Sequence, residues 1–511
     1  MSYADAGSEG GYRAPANNGD GALGDPAESA AERAFPRRGY SLWDEDREST
    51  RYLAAETQRS IPYARTIVNR VINERFRALA PSYGVDVTVV AKWALSSLQL
   101  RAKRDKRLAA VLAASLLLFC ILLILWPWAS LAVLPVSVIG AWTLVARESI
   151  ERANRICANM LRGKFDSSAA PDPPHKRDAD RLAMVSKRRS GNLVVFRGNT
   201  AFIGSGTRIS KEHVVIDVSR SRISQSEPEK SKPKKFTNED VHAAIISAMK
   251  KIGLADARAE ERLFVNGKHV HDNLAILPKA KEPPNSSVDY GVLKQAALHP
   301  TPDARVYVCV EMPSWQGQLV VTLFARAVHI GGSLYIEWRF HVLRPVWRSF
   351  QNVDYLWAES RRRIIMSCCI HSAIEAVPAL LGALPRIEIN RREARTARKR
   401  EAKQEHAIDH GQIFDYGAAR SIREDAGGVT PQHYFLGRDE TMFVLLAQEK
   451  LIRAIANFLN KKNVDTGQLE SQVKVIVEET NKYYSVHLGD VSNSSVAIGK
   501  NSKSSNGDVS K

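Results

Sequence analysis

The sequence predicts an α+β cytoplasmic domain with an antiparallel meander, anchored by a two-helix transmembrane hairpin. Three patterns support this prediction: an uncharged stretch from Leu108 to Ala146, strand-like alternation from Arg305 to Leu343, and amphipathic helices on both sides. The chain has 511 residues and a net charge of +18, and this length allows about three structural units. Its five cysteines have no regular spacing, which disfavours a disulfide-stabilised secreted fold.

Composition divides the chain into six segments. The first has few large apolar side chains, so it cannot offset the entropy of ordering. We predict a disordered tail (1–40), N-terminal cytoplasmic helices (41–107), a transmembrane helical hairpin (108–146), a basic juxtamembrane helix and linker (147–190), a cytoplasmic α+β domain (191–488) and a low-complexity polar tail (489–511).

The N-terminal segment carries two helix patterns. Apolar residues recur at three and four spacing from Ile61 to Leu79, and a second helix is predicted from about Val87 into the membrane segment.

The uncharged stretch is too long for one membrane span. Its 39 residues would make a helix of about 58 Å, whereas a bilayer core is only about 30 Å thick. We therefore predict two spans, Leu108 to Leu125 and Leu131 to Ala146, with a turn at 126–130 where Pro127 interrupts the helix.

Basic residues on both sides of this stretch predict its orientation. Positive loops stay in the cytoplasm, so we expect a multi-pass protein of the plasma (inner) membrane with both termini cytoplasmic. The same cations are expected to contact anionic lipid headgroups. The predicted membrane-surface residues are Arg101, Lys103, Arg104, Lys106, Arg107, Arg147, Arg152 and Arg155.

A second apolar segment, Ile364 to Leu384, contains His371 and Glu375. An ionised glutamate in the middle of a membrane costs several kcal/mol unless it is paired, so we predict a buried or surface-lying helix here instead of a third span.

The body is predicted to mix helices and strands. Thr237 precedes acids and an apolar helix that ends near Gly253, which is typical of a capped helix. A further helix from Asp439 to about Asn460 carries an apolar stripe that is expected to pack on the sheet.

The Gly331-Gly332 pair predicts the register of a β-hairpin. A two-residue loop sets Ala325 opposite Trp338 on one face and Arg326 opposite Glu337 on the other. The strand Arg305 to Val310 is expected to join the same sheet. One face is therefore predicted to be apolar and buried, and the other polar and solvated.

The motif search assigns no catalytic, cofactor or metal site. Cys368, Cys369 and His371 point in different directions on a helix, so a metal site is disfavoured. If the protein is an enzyme, the candidate residues are on the polar sheet face, where a carboxylate next to histidine and arginine could hold a proton. They are Arg326, Glu337, Arg339 and His341.

Two stretches resemble known proteins. The run from Arg305 to Leu343, with Gln316 to Phe324 and Gly331 to Trp338, resembles uncharacterised membrane proteins of high-GC bacteria, which brings no catalytic residues with it. Residues Ser494 to Gly499 are similar to a single repeat of the trimeric autotransporter adhesin head and to tails of bacterial conflict-system proteins.

These observations lead to three functional hypotheses. The first is an integral inner-membrane protein that presents a cytoplasmic sensing, scaffold or protein-interaction domain. The second is a membrane-tethered enzyme that uses the polar face around Glu337 and His341, and the third is a membrane-held nucleic-acid binder. The expected partners are an anionic bilayer and a protein; a homo-oligomer is left open and nucleic acid is disfavoured, because the basic residues cluster near the membrane segment.

Overall fold

A six-stranded mixed sheet forms the centre of the described structure. The computed structural model describes residues 48–188, 191–221, 232–254, 256–358, 360–469 and 471–476, so both predicted tails lie outside the described residues. The strands, in the spatial order β1-β3-β4-β5-β6-β2, are β1 Leu193–Phe196, β2 Thr207–Asp217, β3 Arg258–Asn266, β4 Ala304–Ser314, β5 Leu319–Ile330 and β6 Ser333–Leu343.

The meander has the register that the Gly331-Gly332 loop predicts. Ala325 faces Trp338 and Arg326 faces Glu337 across β5 and β6, and β4 pairs antiparallel with β5. β1 pairs with β3 in parallel, which makes the sheet mixed. The predicted α+β class and meander are therefore confirmed, within a larger sheet than the sequence indicated.

The longer helices include the predicted continuous helix from Val87. The helix predicted from Ile61 to Leu79 is shorter than expected, because a π-helical turn (Asn69–Asn73) follows Val68 and regular helix does not resume. The helices of eight residues or more are α1 Glu48–Arg59, α2 Ile61–Val68, α3 Val87–Leu125, α4 Val133–Asn159, α5 Lys176–Lys187, α6 Asn238–Met249, α7 Tyr290–Leu298, α8 Arg361–Leu381, α9 Ala383–Asp409 and α10 Tyr434–Lys461.

Helices α6 and α10 cover the apolar face of the sheet. Thr237 and Asp240 form a reciprocal capping box at the start of α6, as the sequence predicted for Thr237. The C-terminal half of the predicted α10 stripe, including Leu451, is buried against the sheet, whereas Met442 is exposed. At that end of the helix, Phe443 and neighbouring apolar residues pack on the sheet instead.

A second core joins the N-terminal helices to the body. It combines α1, α2 and the beginning of α3 with α5 and with later residues such as Val346 and Ile422. The segment predicted as a linker thus contains α5, whose Leu182 and Val185 are buried in this core. The basic side chains that gave this segment its linker-like composition lie mainly on the other side of the helix.

Three helices are long and apolar enough to cross a membrane: Val87–Leu125, Pro127–Asn159 and Arg361–Leu381. α3 and α4 are antiparallel. α8 packs antiparallel along α4, with Arg361 near Leu161 and with Ala379 near Ala141. The apolar ends of α3 and α4 expose large side chains such as Leu116, Ile124 and Trp128.

Candidate functional site

The polar face of the sheet is buried, although the sequence predicted a solvated face. Arg326, Glu337 and His341 are 9%, 5% and 7% exposed, and Arg339 is half-buried. The connection from β1 to β2 crosses this face and places the Phe202 ring 4.3 Å from Phe324, measured between centroids. Strand alternation identifies the polar face but not the loop that covers it, so the sequence pattern alone did not predict this burial.

Glu337 is the centre of a charged cluster on this face. Its Oε1 accepts a hydrogen bond of 2.7 Å from the Tyr307 hydroxyl and lies 3.6 Å from Arg326 Nη1, while Oε2 lies 3.3 Å from Arg339 Nη2. Burial by itself raises the pKa of Glu337, but the Tyr307 hydrogen bond and the neighbouring arginines outweigh it and bring the pKa below its usual range. The carboxylate is therefore ionised, with both oxygens engaged.

His341 occupies a different environment on the same strand. Its ring packs 5.5 Å from both Phe202 and Phe324, and its Nδ1 lies 3.4 Å from the Gly206 carbonyl oxygen. Burial lowers its pKa to about 4, with a smaller contribution from the charge of Arg339. The imidazole is therefore neutral at pH 7, and its buried Nε2 has no hydrogen-bond partner among the described residues.

Glu337 and His341 do not form an acid–base pair. They lie four residues apart on one face of β6, which separates their Cα atoms by about 13 Å, and Arg339 stands between them. Arg339 itself is held over the Phe202 ring at 4.7 Å. The four candidate residues lie together on this face, Arg326 on β5 and the other three on β6. The arrangement holds charged groups in fixed positions more readily than it transfers a proton between Glu337 and His341.

This buried face lies within the part of the chain that matches a protein family. A sequence model of the family described as AbeC-like domain matches residues 212–499, which is more than half of the chain. The chain belongs to the AbeC-like family. No curated protein and no solved structure gives a match.

The AbeC-like domain contains the Glu337 cluster as well as helices α8 and α9. It begins inside β2, so β1, the N-terminal helices and the apolar helices α3 and α4 precede it in the chain. The domain nevertheless shares its sheet with β1 and a core with α1 and α2. The residues in front of the AbeC-like domain therefore complete its packing.

A second polar cluster lies at the base of the apolar helices. Arg104 and Asp105 of α3 meet Glu148 of α4, with Arg104 Nη1 3.1 Å from Glu148 Oε2 and Arg104 Nη2 2.8 Å from Asp105 Oδ1. Arg386 of the AbeC-like domain completes the cluster, 3.1 Å from Asp105 Oδ1. The sequence analysis missed Asp105 and Glu148; the available signal was an acid next to the uncharged stretch inside each mainly basic flank.

This cluster changes the role of some predicted membrane-surface residues. Arg104 is 3% exposed, so it is part of the buried network and does not face a headgroup layer. Arg101 and Arg152 pair with Glu148, and Arg155 pairs with Glu151. The four members of the predicted set that are exposed are Lys103, Lys106, Arg107 and Arg147.

Helices α8 and α9 meet at Gly382 and form a second, splayed helical hairpin, in which α8 packs on α4 and α9 on α3. The Cys369 carbonyl accepts a hydrogen bond of 2.9 Å from Trp142 Nε1, and Ala379 and Leu380 pack with Ala141 and Leu108. His371 Nδ1 lies 2.8 Å from the Ser367 carbonyl oxygen of the same helix. In the part of the chain that the structure describes, no group of three His, Cys, Asp or Glu side chains could hold a metal ion.

Proposed function

We propose that the chain is an integral inner-membrane protein whose α3–α4 hairpin crosses the bilayer twice and presents the AbeC-like domain to the cytoplasm as a sensing, scaffold or protein-interaction module. The observation that carries the proposal is the change in side chains at the Asp105–Glu148 level. Just beyond that level, from Leu108 to Ala146, the hairpin carries no charge and exposes large apolar groups, while the charged and folded part of the chain lies on the other side.

The outward-facing apolar surface supports membrane insertion. Ile124 and Trp128 are 83% and 89% exposed, and the neighbouring leucines are similarly open. Each square ångström of apolar surface left in water costs roughly 25 cal/mol, so contiguous exposure of this kind requires an apolar environment. Trp126 and Trp128 at the turn suit the interface of the far leaflet.

The contacts of α8 and α9 favour two membrane spans over three. α8 reaches only the level of Leu108 and Ala141, at the beginning of the uncharged stretch, and the chain then reverses at Gly382. α9 returns to the body, where Arg65 lies 3.2 Å from Glu393 Oε1. We infer that this second hairpin dips into the inner leaflet and keeps both of its ends in the cytoplasm.

The orientation follows from the exposed cations. Lys103, Lys106, Arg107 and Arg147 all lie at the base of the hairpin, and the far turn carries no charge. Positive residues remain on the cytoplasmic side, and each one near an anionic leaflet contributes roughly 1 kcal/mol to attraction.

The Glu337 cluster supports a structural role over catalysis. Both carboxylate oxygens are already engaged, and the Phe202 loop closes the face to a substrate. A Glu337→Gln change should therefore destabilise the protein. Replacement of a catalytic residue, by contrast, often makes a protein more stable. Glu260→Gln, which affects a half-exposed partner of Arg262, is the matched control.

Cysteine labelling of the full chain in intact cells tests the arrangement. The native cysteines are first replaced by alanine, and single cysteines are then placed at Trp128, Leu274 and Arg392, all of which are exposed. An impermeant maleimide should label Trp128→Cys in intact cells, and the other two only after permeabilisation.

The position in α9 separates two spans from three. Labelling of Arg392→Cys from outside, with Leu274→Cys protected, would mean that α8 crosses the membrane. Labelling of Leu274→Cys from outside would overturn the cytoplasmic placement of the domain. If none of the three positions is labelled in intact cells, the turn at 126–130 does not lie on the outer side of the membrane.

A further inference from the structure

A cavity of about 280 Å³ lies where the N-terminal helices meet the end of β1. Its walls come from the π-helical turn and following loop, from the residue after β1, from the beginning of α3 and from the segment 418–422. The charged residues that line it are Arg70, Glu74, Arg77, Arg197 and Arg420. Four arginines from three parts of the chain thus line one small space with a single lining carboxylate.

Arg77 is the most enclosed of these arginines. Its guanidinium lies over the Phe414 ring at 5.2 Å, and its Nε is 2.9 Å from Glu74 Oε2. The Nη1 atom is shielded from solvent and has no hydrogen-bond partner among the described residues. Burial, and then the charge of Arg197, lower the pKa of Arg77, so the surroundings do not fully compensate its positive charge.

The other three arginines are only partly neutralised. Arg197 Nε lies 3.6 Å from Asp415 Oδ2, a long contact for an ion pair. Arg70 and Arg420 share one carboxylate, that of Asp425. Among the described residues, these four guanidinium groups form ion pairs with three carboxylates, and the Glu424 carboxylate also interacts with Arg420.

The remaining lining suits an organic ligand better than a bare ion. The hydroxyls of Ser82 and Ser421 lie 2.7 Å apart at the wall, and the Ser82 hydroxyl also lies 3.4 Å from the Ala80 carbonyl oxygen. Apolar side chains complete the cavity: Val71, Leu79, Val87 and Ile422. Such a mixture of a few polar groups and an apolar wall is typical of small-molecule sites.

We propose that this cavity binds a phosphate-bearing small molecule no larger than a mononucleotide. Guanidinium groups bind phosphate through paired N–H donors, and a phosphate monoester offers three acceptor oxygens to arginines that approach from several directions. A carboxylate offers only two oxygens in one plane, so it would engage fewer of the four. All these residues lie in the folded body, and the inference does not depend on the proposed membrane arrangement.

The test is calorimetric titration of the full chain in detergent with adenosine monophosphate, inorganic phosphate and adenosine. The phosphate-containing probes should bind, and adenosine should not. Arg197→Gln should weaken binding about tenfold, because it removes one charged bidentate donor. Arg197 is half-exposed with a long ion pair, so its replacement should leave the fold intact.

Arg392→Gln is the matched control. Arg392 is an exposed arginine on α9 that pairs with Glu388 of the same helix, so its loss removes the same net charge outside the cavity. Binding that is lost in Arg197→Gln and kept in Arg392→Gln supports the site. Absence of binding by both phosphate probes, equal weakening in the two variants, or equal affinity for adenosine would each overturn it.

Discussion

Arg386 on α9 and Asp105 on α3 form a bidentate ion pair, with Nη2 3.1 Å from Oδ1 and Nε 3.2 Å from Oδ2, although 281 residues separate them in the chain. Asp105 is fully buried and also forms an ion pair with Arg104. The pair fixes the point at which the α8–α9 hairpin reverses against the base of the first apolar helix. It thereby connects the AbeC-like domain directly to the apolar hairpin.

Asp105→Asn should destabilise the protein by about 3 kcal/mol, because it removes one of the two buried carboxylates that Arg104 contacts and leaves Arg386 without its ion pair to Asp105. The measurement is thermal unfolding in detergent followed by circular dichroism. Glu388→Gln provides the control, since Glu388 pairs with exposed Arg392 on the same helix, and it should change the unfolding temperature little. Equal effects of the two changes would refute a structural role for the buried cluster.

The tip of the α8–α9 hairpin should lie in lipid. Leu381 belongs to an exposed apolar stripe that runs along α8 through Met366, Ile370, Ile374 and Val377. In a cysteine-free background, Leu381→Cys labelled with an environment-sensitive fluorophore should emit at shorter wavelength in liposomes than Leu274→Cys, an exposed apolar position of the body. The same emission from both sites would contradict insertion of the tip.

Because of His341, the protein should become less stable as the pH is lowered. Its pKa is about 4 in the folded protein and ordinarily 6.5, so between these values the unfolded chain takes up a proton that the folded protein does not. The loss across this window is roughly 3 kcal/mol. Glu337, whose folded pKa is lowered, adds a further loss only below its ordinary value of 4.5.

His341→Gln should flatten this dependence, since glutamine does not titrate. The measurement is the denaturant midpoint at several pH values between 4 and 6.5. His213, an exposed histidine on the neighbouring strand opposite Glu337, supplies the control, and His213→Gln should keep the wild-type slope. An unchanged slope in His341→Gln would show that other groups cause the dependence.

Gly417→Ala should destabilise the junction between β1 and the cavity. A Cβ atom at this position would lie 2.2 Å from the Phe196 carbonyl oxygen, so the backbone would have to move. Such overpacking costs roughly 1–3 kcal/mol. Gly291→Ala in α7 meets nothing within 4 Å and should stabilise by up to about 1 kcal/mol, so opposite shifts in unfolding temperature are expected.

Local patterns were sufficient for several elements. The Gly331-Gly332 loop predicted the register of β5 and β6, because a two-residue turn allows one pairing that segregates apolar from polar side chains. The helix from Val87 into the uncharged stretch and the cap at Thr237 were likewise predicted from neighbouring residues. Patterns failed where a helix boundary depends on packing, as at Val68 and Tyr434.

The sequence by itself determined the strand register, the long uncharged helices and the polar identity of the row Arg326, Glu337, Arg339 and His341, because these depend on spacing over a few residues. Only the tertiary structure decided that this row is buried beneath Phe202, that Asp105 meets Arg386, and that four arginines surround one cavity. Burial and charge pairing arise between segments distant in the chain, and spacing along the sequence carries no record of which distant segments meet.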